Sequence, residues 1–516
     1  MEKKYLIGTD IGTSSTKSVL VDLSGKVMAS SLLEYEVLTP QALWAEQWPE
    51  VWVDATVKTI KDVLIQSKVN PAAVAGMAIS GLYGGTGVPC DEAMNPVRPC
   101  IIWMDRRATA ESRWVEERIG LDRLFRITGN GFDPYFGFTK ILWIKKHEPE
   151  NWKRIKLFLP PNAYVIYKLT GEVAIDYSSA GNLGGIFDLS ARTWSEELMK
   201  ELGIPKTMMP ERMIEAKTVV GGLNRFFSEQ LGLPSGLPVL GGGIDCIVAM
   251  LSAGVLEPNQ HVAVIGTSIN WGVVHEKFPT NRTLVTMPYI KDPLAKNYTY
   301  GGASTAGALP RWFRDNFAEL EKEKEKNGAQ SAYAALDDLA AKIRPGSDGL
   351  LVLPYFMGER SPIWDTNARG TIFGLTLSHT KAHVYRGILE AVAYALRHIM
   401  ETSDAGVKYG DQCILVGGVT KSKLWKQIFA DVTGLTIISP QRNIEAPLGD
   451  ALLAGVGTGL LRDYSVIKEW VSFEDRSLPD AGNYQLYSRY FQEYKNLYPA
   501  LANNMKALAE LRSAAE

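Results

Sequence analysis

Apolar positions along the chain follow two spacings, one short and unbroken, the other helical, and the two alternate from end to end. Tyr5-Leu6-Ile7 leads into Gly8-Thr9-Asp10-Ile11-Gly12-Thr13-Ser14-Ser15, and Val19-Leu20-Val21 follows before Ser24-Gly25. An apolar run, a Gly/Ser/Thr-rich turn and a second apolar run predict a β-hairpin. Far downstream, His261-Val262-Ala263-Val264-Ile265-Gly266-Thr267-Ser268-Ile269-Asn270-Trp271-Gly272-Val273-Val274 repeats the arrangement around an Ile-Gly-Thr turn. Two such hairpins about half a chain apart predict duplicated domains facing one cleft. Between them, helical stretches over 48–67 and 109–118 alternate with β-branched runs such as 75–80, which argues for α/β layers. Beyond Asp411 a strand over 413–416 enters Gly417-Gly418, and a helical segment over 423–432 ends at Gly434. A Gly pair between strand and helix lets a ligand approach the backbone closely. The alternating charges over 319–326 read as a solvated helix end rather than an interaction arm.

Leu233-Pro234-Ser235-Gly236-Leu237-Pro238 and the glycines after it punctuate the middle, which puts a domain boundary near Ala253 and divides the chain into 1–252 and 253–516. The 516 residues agree, since domains run to roughly 100–200 residues. Lys+Arg 55 against Asp+Glu 57 leaves a net charge of −2, so no field of one sign gathers nucleic acid or anionic lipid, and neither is expected as a partner. The longest uncharged, Pro-free apolar stretches, 246–256 and 451–461, fall short of the roughly 20 residues that span a bilayer and fit buried helices. Met1-Glu2-Lys3-Lys4 shows no signal-peptide core, so the expected location is the cytoplasm. Cys90, Cys100, Cys246 and Cys413 form no CxxC pair and suit reduced thiols.

The loop from Asp10 to Lys17 combines one carboxylate with small hydroxyl and Gly positions. Polyphosphate needs backbone N–H donors that approach closely and a carboxylate for Mg²⁺ or its waters, and this loop offers both. Taken alone it fits an ordinary hairpin better than a phosphate loop; the second turn at Ile265-Gly266-Thr267-Ser268 shifts the balance toward phosphate. A Walker A sequence is absent, and no GxGxxG opens a βαβ unit at the start. Of the six histidines only His379 and His383 have helical ligand spacing, without an HExxH glutamate or a third ligand, so no metal-dependent hydrolase is expected. Gly241-Gly242-Gly243-Ile244-Asp245-Cys246 places a carboxylate between a glycine run and an apolar helix. Asp245 could cap that helix, or it could accept the proton of a substrate hydroxyl attacking phosphorus.

With these motifs the chain resembles the FGGY carbohydrate kinases, which include glycerol kinase, xylulokinase, gluconokinase and ribulokinase. The resemblance runs over nearly the whole chain: Gly8 to Lys17, Trp103-Met104-Asp105-Arg106-Arg107, Leu169-Thr170-Gly171-Glu172 with Asp176 and Ser178, Gly243 to Cys246, and Pro354-Tyr355-Phe356-Met357-Gly358-Glu359-Arg360-Ser361-Pro362. The second family signature is met from Gly370 to Leu375 and on to Leu389-Glu390, with Gly387 where Ala or Ser is usual; the first keeps Thr139-Lys140 and Trp143 but has Gly137 where Pro, Ser or Thr is expected. The resemblance implies an α/β fold of two ribonuclease-H-like domains, of the actin/hexokinase/Hsp70 type, flanking a catalytic cleft that takes ATP, Mg²⁺ and a small-molecule sugar or polyol. It implies Asp245 as catalytic base and Asp10 as the acid near Mg²⁺. Gly12, Thr13, Ser14, Ser15 and Lys17 then form the first phosphate loop and Gly266-Thr267 the second, while Gly307, Gly417, Gly418 and Ser422 hold the nucleotide. Family members occur as monomers, dimers and tetramers, and a homodimer is among the forms the resemblance allows.

The substrate signals are mixed. Gly81-Leu82-Tyr83-Gly84-Gly85 lacks the His of the xylulokinase segment and the Arg-Glu of glycerol kinase, whereas Pro134-Tyr135-Phe136 resembles the segment lining the polyol in glycerol kinases. Asp105 and Arg106 look like the ketopentose and gluconate branches, with Asp105 expected to accept sugar hydroxyls. Cys246 stands where xylulokinases have Asn and glycerol kinases Gln. Tyr83, Asp105, Arg106, Tyr135, Asp245 and Cys246 are therefore the expected substrate contacts, and Trp103 either stacks on the sugar or fills the core. The expected activity is ATP-dependent phosphorylation of a ketopentose such as xylulose. A polyol (glycerol, erythritol) or a sugar acid (gluconate) is the alternative acceptor; a sugar-independent ATPase switch of the Hsp70/actin type and a sugar sensor without catalysis are alternative classes.

Overall fold

The computed structural model describes residues 2–403, 408–441, 445–473 and 475–515. The chain forms two compact units that interleave along the sequence. Unit 1 comprises Met1–Pro258, Val274–Thr299 and Ile444–Ser472; unit 2 comprises Asn259–Val273, Tyr300–Asn443 and Phe473–Glu516.

Unit 1 is built on a six-stranded sheet of β1 (Tyr5–Ile11), β2 (Ser15–Asp22), β3 (Val27–Glu34), β4 (Val74–Gly81), β5 (Val219–Gly222) and β6 (Pro238–Leu240), in the order β5-β6-β4-β1-β2-β3. The predicted hairpin is β1 and β2, antiparallel, with Asp10 opposite Lys17 and Ile11 opposite Thr16. β4 runs parallel to β1 and sets Ser80 beside Asp10. Every residue of β4 is buried, as suits a parallel strand covered on both faces. Helix α1 (Glu50–Ser67) packs on β2 and β3, while a helix from far down the chain, Ala446–Gly457, packs on β1 and β4.

Unit 2 repeats the motif. β7 (His261–Ile265) pairs antiparallel with β8 (Ile269–His275) and parallel with β9 (Gln412–Gly417), and β10 (Thr436–Ser439) and β11 (Asp475–Ser477) extend the sheet beyond β9. Ile265 faces Gly417 across the parallel pair just as Ile11 faces Gly81 in unit 1, so the internal repeat extends from the turn to its parallel partner strand. No helix among the described residues is long and apolar enough to cross a membrane. All four cysteines are free thiols, with only Cys246 partly exposed.

Candidate active site

In unit 1 the strand ends and one helix start gather three carboxylates. Asp10 closes the apolar run of β1, and its Oδ1 accepts from Ser80 Oγ at 3.1 Å. The same hydroxyl lies 2.6 Å from Oδ2 of Asp450, a fully buried residue of the helix Ala446–Gly457. The Ser80 hydroxyl thus bridges the two carboxyl groups, its shorter contact being the one to Asp450. Burial, reinforced by the charges of Asp10 and Asp245, pushes the Asp450 carboxyl well above the ordinary aspartate range. Oδ1 of Asp450 is buried without a hydrogen-bond partner among the described residues.

Asp245 is the first residue of the helix Asp245–Ser252; Ile244 occupies the cap position, so the carboxylate is not the N-cap. Its Oδ1 accepts from the Cys246 N–H at 2.5 Å. Burial, then the charge of Asp10, raises the Asp245 carboxyl above the ordinary range, and burial raises Asp10 as well. The glycine run ahead of it is fixed by sterics. Gly242 has φ +57°, and a Cβ there would lie 1.9 Å from the Ile79 carbonyl oxygen. Ile244 N–H donates to Ser178 Oγ at 3.2 Å, and Ser178 bonds Asp176, so the residues 176 and 178 of the family pattern buttress Asp245 from behind.

The first turn is braced from three sides. Gly12 N–H donates to Ser15 O at 2.9 Å, Tyr35 Oη donates to Gly12 O at 2.7 Å, and Gln47 Nε2 donates to Thr13 O at 2.8 Å. Trp103 is part-buried against the core, and its indole N–H donates to the Thr13 hydroxyl at 2.9 Å. Lys17 is ion-paired with Glu445. Thr13 and Lys17 therefore already have intramolecular partners for their side chains.

Around Tyr83 the segments expected to contact substrate converge. Arg106 and Asp133 form a two-pronged pair at 2.6 and 3.1 Å, and Asp133 also accepts from the Tyr135 N–H at 2.7 Å. The Tyr135 ring lies against Gly84, and Asn182 Nδ2 is 3.4 Å from its hydroxyl. Lys140, fully buried, donates to the carbonyls of Gly84 at 2.8 Å and Tyr135 at 2.5 Å, and burial lowers its ammonium to about 7. Tyr83 is buried beside this group, with its phenol raised by burial. Cys246 is half-buried next to Asp245, its thiol raised by burial and by that carboxylate.

Asp105 does not do what its motif suggests. It is fully buried, and its oxygens accept from the Ala45 N–H at 2.6 Å, the Arg107 N–H at 2.9 Å and the Arg107 guanidinium at 2.7–3.0 Å. The carboxylate orients Arg107, which stacks 3.6 Å over Trp44, and its oxygens are committed to partners within the protein.

Unit 2 gathers its own set. Gly266 N–H donates to Ser268 O at 3.0 Å, and Gly307 N–H donates back to Gly266 O at 2.8 Å. A Cβ on Gly307 would lie 2.5 Å from that oxygen. Ala306 N–H reaches Thr267 O at 2.8 Å. Gly417 and Gly418 end β9 with an open approach at Gly418. Ser422 caps the helix Lys423–Thr433 by accepting from the Trp425 N–H at 3.0 Å, and its hydroxyl donates to Asp337 at 2.6 Å, so this side chain serves the fold.

The residues missed in the sequence are Asp450, Ser80, Asp133 and Asn182. Asp450 did leave a trace, as a lone carboxylate directly ahead of the uncharged run 451–461.

Models of the FGGY family of carbohydrate kinases match the chain twice, the N-terminal domain over residues 5–252 and the C-terminal domain over 261–458. The chain is 30% identical to a xylulose kinase of Bacillus subtilis over 99% of both chains, and 28% identical to a gluconokinase of that organism over 98% of both. Its fold superposes with a TM-score of 0.90 on a xylulose kinase from Lactobacillus acidophilus, at 25% identity, covering 98% of this chain and 100% of that one. Such a chain is an ATP-dependent phosphotransferase with an alcohol group of a sugar as acceptor. It belongs to the FGGY family of carbohydrate kinases.

Proposed function

We propose that the protein transfers the γ-phosphate of MgATP to a hydroxyl of a ketopentose such as xylulose, with Asp245 as the base. The carrying observation is the pairing of Asp245 with Asp10: a part-exposed carboxylate at a helix start, raised by burial and by a second carboxylate. The acceptor hydroxyl attacks the γ-phosphorus, the bond to the β,γ-bridging oxygen breaks, ADP leaves, and Asp245 takes the hydroxyl proton. Two carboxylates raised above their ordinary range, Asp245 by burial and by Asp10, and Asp10 by burial, together with the unpartnered Oδ1 of Asp450, leave this place short of positive charge, which fits a dication that arrives with ATP. No three His, Cys, Asp or Glu side chains among the described residues form a metal cage, consistent with Mg²⁺ held by Asp10 together with phosphates and water. Mg²⁺ neutralises charge on the phosphates. The N–H groups of Thr13 and Ser14 and the turn at Gly266-Thr267, with Gly307 and Gly418, are assigned to the nucleotide.

An uncharged sugar is favoured because Asp133 already engages both terminal nitrogens of Arg106. A neutralised guanidinium gives an aldonate carboxylate little attraction. Tyr83, Tyr135, Asn182 and Cys246 remain as the acceptor's contacts. The xylulose kinase relatives point the same way. Sugar-dependent ADP release over a panel of ketopentoses, pentitols, glycerol, erythritol and gluconate tests this. Activity highest on xylulose or another ketopentose is expected; a preference for gluconate or glycerol overturns the substrate, and no sugar-dependent signal overturns the reading.

The raised Asp245 carboxyl has a kinetic signature. The base acts only when ionised, so kcat/KM for ATP, measured at saturating acceptor, falls as pH drops through a limb above the ordinary aspartate pKa of about 3.9. In the MgATP complex the cation favours the ionised form, so the limb in kcat lies at lower pH. Paired pH profiles of the two parameters check both the limb and its direction of movement.

A further inference from the structure

One buried acid in unit 2 has no part in the chemistry above. Glu359, 5% exposed, sits in the loop Gly358-Glu359-Arg360-Ser361-Pro362. Its Oε1 accepts from the Ser304 N–H at 2.7 Å and from the Arg360 N–H at 2.7 Å, whereas Oε2 is buried without a hydrogen-bond partner among the described residues. A carboxylate sealed from water with one oxygen bare is costly, and burial raises it to about 7. The two backbone N–H groups, with the Ser304 side chain and the Arg360 charge beside them, oppose that rise, so the place it occupies is informative.

Ser304 begins the segment that shapes the second turn. Three residues on, Gly307 N–H holds Gly266 O, and Ala306 N–H holds Thr267 O; Ile269 N–H, just past the turn, donates to Ala303 O at 3.1 Å. The Arg360 guanidinium adds a second anchor, 3.3 Å from Ala303 O and 3.4 Å from Ile269 O. Phe356, from the same loop, packs edge-on at 4.9 Å against Trp312 in the helix Ala308–Phe317 that starts at Gly307. The loop thus grips the 303–307 segment at its start and the helix that follows it.

We propose that Glu359 is a positioning residue for the nucleotide. Through the Ser304 N–H it sets the 303–307 segment, and through that segment the Gly266-Thr267 turn, so that these N–H groups meet the phosphates without reorganising. The proposal rests on the reading that this turn and Gly307 hold ATP. Leaving the buried Ser304 N–H without its acceptor is expected to weaken ATP about tenfold, seen in both the KM for ATP and the calorimetric Kd, while the KM for the sugar stays within about threefold.

The test compares Glu359→Ala, Glu359→Asp and Glu359→Gln with the unaltered protein, using ATP as the calorimetric probe and Gly307→Val as a reference for the turn. Ala, and Asp with its shorter reach, should weaken ATP selectively; Gln keeps an acceptor for the Ser304 N–H and should restore most of the affinity. If Ala does not fold, Asp against Gln carries the same comparison. A lower melting temperature with unchanged ATP affinity, or equal rises in both KM values, overturns the proposal, as does a Gln variant no better than Asp. If Gly307→Val leaves ATP binding intact, the assignment of the turn to nucleotide fails, which is a different result from Glu359 failing while Gly307→Val weakens ATP.

Discussion

Asp245→Asn is expected to bind ATP as tightly as the unaltered protein and to lose about 10²–10⁴-fold in sugar-dependent turnover, the range associated with a general base. Asn preserves the shape and can still accept the Cys246 N–H that Oδ1 accepts now, so the helix start should stand. It cannot take the proton. Removing the charge also removes the repulsion between Asp245 and Asp10, which leaves nucleotide binding undiminished. Calorimetry with ATP, set beside ADP release with the best acceptor, separates the two effects. A variant that retains most of its turnover sinks the assignment of Asp245 as base.

Gly242→Ala is expected to be nearly as damaging by another route. The left-handed backbone at φ +57° costs a non-glycine residue about 1–3 kcal/mol. The new Cβ would sit 1.9 Å from the Ile79 carbonyl oxygen, and overpacking against a backbone that cannot yield adds about 1–3 kcal/mol. Ile79 precedes Ser80, so relief of the clash displaces both the Ser80 contact to Asp10 and the approach to Asp245. A fall in melting temperature together with a loss of turnover is the expected result. Full activity in Gly242→Ala would mean that the glycine run does not place the base.

What the sequence discloses is what short segments decide. The hairpins at Ile11-Gly12-Thr13 and Ile265-Gly266-Thr267 are legible because turn chemistry and flanking apolar runs are local, and Asp245 is legible because a glycine run and an apolar helix bracket it. Contacts across the fold are not. Ser80 and Asp450 lie 370 positions apart, Lys17 and Glu445 428, and no pattern within a window joins them. Asp105 shows the converse: its motif suggests a sugar ligand, yet the neighbouring Arg107 and the Ala45 N–H claim it, because a buried carboxylate is stabilised by a guanidinium more than by a hydroxyl. Asp133 escaped notice since an exposed-looking loop acid gains meaning only once Arg106 folds against it.

The helix Ala446–Gly457, which packs on β1 and supplies Asp450, bears on how the protein is made. A ribosome releases the first hairpin early, but the segment that covers one face of β1 leaves some 440 residues later. Until then Leu6 and Ile7, both fully buried in the finished fold, lack part of their covering, and Ser80 lacks its second carboxyl partner. Unit 1 therefore starts first but cannot be completed until residues 444–472 emerge, after most of unit 2, and a gene cut at the midpoint yields an N-terminal fragment with an open sheet face that invites association with chaperones or with other nascent chains.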